Sequence, residues 1–287
     1  MSNKPLVTII IPVYNGSNYL SEAIKSAIAQ TYENVEIIVI NDGSNDNGKT
    51  RDVALSFGNA IKYLEKSNGG VASALNVGIA NMKGDYFSWL SHDDIYYPNK
   101  IQTQIDFFSF NPAVRNSILY SDFEIVDQDL NILQQSELKK SDAANFSYWL
   151  TTNSDIHGCT LLIPKSCFLE VGNFPENLMH TQDYSLWFKF SKYFNFVLQK
   201  EILVQSRQHV NQGSKVENLN SERRSEIRKM RIGFLYDLAN EEIIRAEGVN
   251  LLRAYIRLLR KLNNHKLPYI EYYILKIFLK NLLPIKF

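Results

Sequence analysis

Two adjacent carboxylates, Asp93 and Asp94, stand just beyond an apolar, aromatic run, Phe87-Ser88-Trp89-Leu90, that reads as a buried strand. Carboxylates at the carboxyl end of a central strand sit where open α/β sheets bind their ligands. Two such charges side by side repel, and a cation relieves them. Oxygen ligands of this kind suit Mg²⁺ or Mn²⁺, ions that commonly bridge to nucleotide phosphates. The competing reading is local: Pro98 is placed to open a helix, and the two aspartates would cap its positive end. A second polar break, Asn41-Asp42-Gly43-Ser44, follows another apolar run. Asp183 precedes a helical pattern through Leu186, Trp187 and Phe190, where its plain reading is an N-cap.

The elements that must position these groups alternate. Val7 to Ile11 and Val35 to Ile40 are β-branched and almost wholly apolar, as expected of strands covered on both faces of a parallel sheet. Between them Leu20, Ala23, Ile24, Ala27 and Ile28 recur at helical spacing. The expected result is a right-handed βαβ unit and the start of a nucleotide-binding half. A short strand over 61–65, a helix from Gly70 through Ile79, the strand 85–90, a helix over Ile101 to Phe108 and a strand from Ile118 continue the series. Asp127 to Asn131 reads as a hairpin turn. His157 to Pro164 reads as a loop entering a strand, and a further strand runs from Phe196 to Leu203.

Past residue 215 the chain becomes densely charged and helical, so the expected division is a main domain, 1–215, and a helical extension, 216–287. From residue 250 onward eight Lys and Arg face one Glu, which leaves that stretch near +7 against a chain total of +1. A basic stripe beside the apolar face of Leu252, Ile256, Leu259 and Leu262 fits a helix lying on an anionic membrane surface, or a cap packed on the main domain. The near-neutral total excludes a generally basic nucleic-acid binder. Cys159 and Cys167 are too few for a disulfide framework or a zinc ribbon. With no signal segment at the start and no apolar run of spanning length, a cytoplasmic protein, peripheral at the membrane's inner face, is expected.

Familiar nucleotide and hydrolase signatures are missing. There is no P-loop, no G-x-G-x-x-G after the first strand, no H-E-x-x-H and no G-x-S-x-G. A diphosphate would then need neutralising by something other than a glycine cradle, and a metal on Asp94 is the natural candidate.

Taken together, Val7 to Asn15, Asn41-Asp42-Gly43-Ser44, Asn68-x-Gly70, Leu75-Asn76-x-Gly78-Ile79, Gly84-Asp85-Tyr86, Leu90 to Asp94 and Gln182-Asp183 resemble the ordered motif set of family 2 glycosyltransferases. The likeness covers roughly residues 5–215. It implies a GT-A fold, a mostly parallel central sheet flanked by helices, and inverting transfer from a UDP-sugar of a hexose or N-acetylhexosamine. On that likeness Pro12, Val13, Tyr14 and Asp42 would hold the base, with Asn15, Asn68, Asn76 and His92 in the same donor-side motifs. Asp93 would bond the ribose or sugar, and Asp94 would ligate Mn²⁺ or Mg²⁺. Asp183 would be the catalytic base. His209 would complete the metal shell and Arg207 would face the diphosphate. His157 and Gly158 could touch the acceptor or turn the chain, Gln182 precedes the base, and Trp187 could stack on an acceptor ring or fill the core.

Two departures stand out: Leu75 where many relatives carry Arg, and Gln182 where Glu is commoner. The basic tail points to a polyprenyl-diphosphate-linked acceptor, as in O-antigen, capsule or exopolysaccharide assembly. Rival readings are a non-catalytic nucleotide-sugar binder or membrane-recruited scaffold, and a sugar-phosphate nucleotidyltransferase. The last would need an Arg-containing glycine-rich loop that Pro12 to Tyr19 lacks.

Overall fold

The computed structural model describes residues 4–138, 146–152, 155–209 and 220–245. Its centre is β1 (Val7–Val13), in which every residue is buried. β1 pairs in parallel with β2 (Val35–Asn41) on one side and β4 (Tyr86–Trp89) on the other, and β2 pairs in parallel with β3 (Lys62–Glu65). Full burial on both faces explains the unbroken Val/Ile composition of β1. The helices α1 (Leu20–Ile28), α2 (Lys49–Leu55) and α3 (Gly70–Asn81) carry the crossovers. Helix α3 lies close because Gly78 leaves no room for more: a Cβ there would be 2.6 Å from Ile10 Cγ2.

β4 is also met in antiparallel fashion by β8 (Ile163–Pro164), which completes the first sheet in the order β3-β2-β1-β4-β8. A second sheet has the order β5-β9-β6-β7, from β5 (Ile95–Tyr96), β9 (Phe196–Arg207), β6 (Ile118–Val126) and β7 (Ile132–Gln135). A bridge between Leu119 and Leu162 links the two sheets. The β6–β7 hairpin turns at Asp127, whose Oδ1 accepts from Asp129 N and Asn131 N. Helices α4 (Lys100–Phe110), α5 (Phe146–Thr152), α6 (Lys165–Val171) and α7 (Gln182–Phe190) flank the second half.

One hydrophobic core runs through both sheets. In it Phe168, Phe174, Trp187 and Phe190 interlock around Phe87. Helix α8 (Asn220–Arg245) joins this core: Phe234 stacks on Phe188 with centroids 3.9 Å apart, and Leu238 is buried. The described part of the helical extension therefore packs on the main domain. The expected boundary at 215, and the amphipathic stretch from residue 250 onward, lie outside the described residues. No described helix is long and apolar enough to cross a membrane.

Candidate functional site

The polar loops at the carboxyl ends of β1, β2 and β4 build one side of the site. β4 stops at Trp89, and Ser91 to Asp94 turn tightly, Asp94 N donating to Ser91 O at 3.2 Å, before β5 begins. Helix α4 starts only at Lys100, behind Asn99. Asp93 and Asp94 thus do not cap it, and the local reading of the pair is excluded.

Asp94 is only 3% exposed. Its Oδ1 accepts from Arg207 N at 2.9 Å, Cys159 Sγ donates to Oδ2 at 3.3 Å, and His157 Nε2 lies 3.6 Å from Oδ2. Burial, and then the neighbouring Asp93 charge, push the Asp94 carboxyl well above the ordinary carboxylate range. Burial likewise holds the His157 imidazole below its usual value, against the pull of Asp93 and Asp183. One ligand atom from each of Asp94, His157 and Cys159 lies within 4.8 Å of the others. A buried carboxylate of raised pKa beside an imidazole is a donor set that fits a divalent cation. The Cys159 thiol would add a soft ligand that strengthens Zn²⁺ binding in particular, while the Asp94 carboxylate serves Mg²⁺ or Mn²⁺ as well.

Asp183 is half-buried in the first turn of α7, with Tyr184 N donating to its Oδ1 at 2.8 Å. Burial raises its pKa, while the nearby charges of His157 and Arg223 oppose the shift. His157 therefore stands in electrostatic reach of both Asp94 and Asp183, residues far apart in sequence.

Of the residues expected to hold the donor, Pro12 and Val13 are buried at the end of β1, and Tyr14 is 44% exposed at the rim. Asn15 adopts a positive φ of 50° and ties the first loop to the second, through Ser44 Oγ and the Asn45 amide. The Asp42 carboxylate accepts from Lys66 Nζ, Gly69 N and Gly70 N at 2.7, 3.0 and 2.7 Å. It thereby pins the start of α3, helped by the Asn68 side chain donating to Asp42 O. His92 packs edge-on over Gly16, where a Cβ would lie 2.2 Å from its Cδ2.

Several expected contacts are corrected. The Arg207 guanidinium is 2% exposed and committed to the protein: Nε donates to Asp93 O, Nη1 to Gln128 O, and Nη2 pairs with Glu22. It buttresses the wall behind Asp93 and Asp94 and presents no face to a diphosphate. His209 Nε2 pairs with Asp93 Oδ2 at 3.1 Å, not with Asp94. The Asn76 amide is occupied by the 174–176 loop, bonding Phe174 O, Phe174 N and Glu176 Oε1. Trp187 is fully buried against Phe174 and Phe190, so it is core and no stacking platform. Gln182 is 6% exposed, its Oε1 turned inward without a protein partner among the described residues. Gly158 serves close packing, since a Cβ would lie 2.5 Å from Trp89 Cζ3.

Sequence reasoning missed Cys159, although it stands two residues after His157. It also missed Lys100, which is fully buried with Nζ bonded to Leu161 O at 3.1 Å and set 4.4 Å over the Tyr96 ring. Burial lowers its pKa to about 7.

The arrangement has counterparts. Residues 8–172 match the model of glycosyl transferase family 2. The chain is 48% identical over 275 residues to a glycosyltransferase of Rickettsia bellii, covering 94% of this chain and 39% of that protein. It is 47% identical to one from Rickettsia prowazekii, covering 85% of this chain and 76% of that one. The structure of TarS residues 1–349 from S. aureus in complex with UDP-GlcNAc superimposes with a TM-score of 0.63 at 19% identity, over 85% of this chain and 72% of that one. The chain belongs to glycosyltransferase family 2 and has the GT-A fold. It spans about two fifths of the length of the R. bellii relative.

Proposed function

We propose that this chain is an inverting, divalent-metal-dependent transferase that moves a hexose or N-acetylhexosamine from a UDP-sugar to a hydroxyl of a glycan. The observation that carries the reading is the grouping of Asp94 with His157 at the carboxyl end of β4, with Asp183 in electrostatic reach of the same imidazole. TarS, which shares the fold, has been solved with UDP and with UDP-GlcNAc, which supports the choice of donor.

Each residue then has a task. Asp42 organises the β2 and α3 loops that border the base, and Tyr14 offers an exposed ring at the rim. Arg207 N holds Asp94 in orientation, and His209 holds Asp93. Asp94 would hold Mn²⁺ or Mg²⁺, which would supply positive charge to offset that of the leaving diphosphate. Asp183 accepts the proton of the acceptor hydroxyl as its oxygen bonds to the anomeric carbon. The bond from that carbon to the UDP oxygen breaks on the opposite face, so configuration inverts in one displacement. A lipid-linked acceptor in bacterial surface polysaccharide synthesis, met at the membrane's cytoplasmic face, is the pathway that the basic tail supports.

The test is calorimetry of UDP binding with Mn²⁺ and with EDTA, on the natural chain and on Asp94→Asn. The metal-dependent part of the affinity should disappear in the variant. UDP binding that ignores EDTA, or a product that keeps the donor's anomeric configuration, refutes the proposal.

A further inference from the structure

A cavity of about 560 Å³ lies against His157, the residue that already borders Asp94 and Asp183. Its size falls within the roughly 300–1,000 Å³ of small-molecule sites. Strand β6 contributes Phe123 and Ile125, which share one face of the strand by their spacing of two. Helix α5 contributes Trp149, while Glu137 and Asp155 add two exposed carboxylates.

Two features define the ligand. The first is a pair of aromatic planes held firmly in place. Trp149 stacks on Phe146 with centroids 5.4 Å apart, Phe146 stacks on Phe196 at 4.4 Å, and the Phe123 ring lies 5.2 Å from that of His157. Rigid aromatic rings bind the apolar CH face of a sugar at small entropic cost. The second is charge: among the described residues Glu137 and Asp155 line the cavity and no Lys or Arg does. Carboxylates accept hydrogen bonds from sugar hydroxyls or amines and repel phosphate, sulfate and uronate.

We propose that this cavity is the acceptor subsite and that it takes an uncharged or amine-bearing sugar ring of a glycan. The inference rests on the transferase reading above and names its acceptor class. It requires that any diphosphate by which an acceptor is anchored stay outside the cavity, so the ring received there is not the one that carries the phosphate. Of the lining, the sequence pointed only to His157, because Phe123, Glu137, Trp149 and Asp155 are scattered over four segments.

Saturation-transfer NMR on the full chain tests it, with maltotriose and N,N′,N″-triacetylchitotriose as neutral probes and trigalacturonate as the anionic one. At least one neutral probe should receive saturation and trigalacturonate should not. Trp149→Ala and Phe123→Ala should each weaken the neutral signal by about fivefold or more. Calorimetric binding of UDP with Mn²⁺ should stay unchanged in both variants, which also shows that they fold. Should either variant fail to fold, Glu137→Lys combined with Asp155→Lys changes only exposed positions and should transfer the preference to trigalacturonate. Neutral probes that receive no saturation overturn the inference, as do aromatic variants that bind normally or a trigalacturonate signal equal to the neutral one. Loss of UDP binding in the natural chain would instead sink the donor reading.

Discussion

Asp183→Asn isolates the proton-transfer step. The side chain is half-buried at the start of α7, and the amide keeps both its shape and an oxygen that can accept from Tyr184 N. The fold should therefore be retained. Because burial raises the Asp183 pKa, the folded chain holds this proton to higher pH than the unfolded chain does. Its contribution to stability is complete below the unfolded value and is lost as pH rises through the folded one. The variant should accordingly be no less stable than the natural chain at pH 8. Transfer is another matter. A positioned general base contributes about 10²–10⁴-fold, equivalent to roughly 3–5.5 kcal/mol of barrier. The loss should fall on kcat, with UDP affinity in Mn²⁺ unchanged. The acid limb of the natural enzyme's pH–rate profile should lie above the ordinary carboxylate range and be absent from the residual activity. The assays are UDP release with acceptor, calorimetry of UDP, and a urea melt. A kcat within tenfold of the natural chain, or a parallel collapse of UDP affinity, refutes the assignment.

Other perturbations test the scaffold and the metal pocket. Gly78→Ala forces a Cβ to 2.6 Å from Ile10 Cγ2 and should destabilise by up to about 2 kcal/mol. That figure is an overpacking cost of about 1–3 kcal/mol less about 1 kcal/mol of helix propensity, and denaturant melts would measure it. Glu226 of α8 accepts from His180 N and Thr181 Oγ1 just before α7. Burial raises its pKa less than those bonds lower it, so its contribution is present above the unfolded value and lost as pH falls through the folded one. Glu226→Ala should cost about 1–2 kcal/mol at pH 7, a gap that closes in acid melts. Cys159→Ser should weaken Zn²⁺ binding by about tenfold while altering Mn²⁺ affinity by less than about threefold, as read by metal competition.

Much of the architecture was legible because it is written in local periodicity. The unbroken Val/Ile composition of β1 and β2, the helical spacing of α1 and α3, and the arrest of β4 before Asp93 all depend on near neighbours. Short elements escaped notice. β5 has only two residues squeezed between Asp94 and Pro98, and α5 and α6, about two turns each, show too few positions to establish a period. The site divides along the same line. The adjacency of Asp93 and Asp94 is a sequence fact, whereas the company Asp94 keeps is not.

By itself, the sequence determined the order of most of the longer strands and helices, the ends at which polar loops gather, and the ordered motifs of a family 2 glycosyltransferase. The tertiary structure decided which candidates face one another. It brought Cys159 and His157 to Asp94, turned Arg207 inward to Glu22, gave His209 to Asp93 and buried Trp187. The contacts of Cys159, His157, Arg207 and His209 join residues 63 to 185 positions apart. Side-chain orientation at such distances follows from how the two sheets pack, and local residue spacing carries no record of that packing.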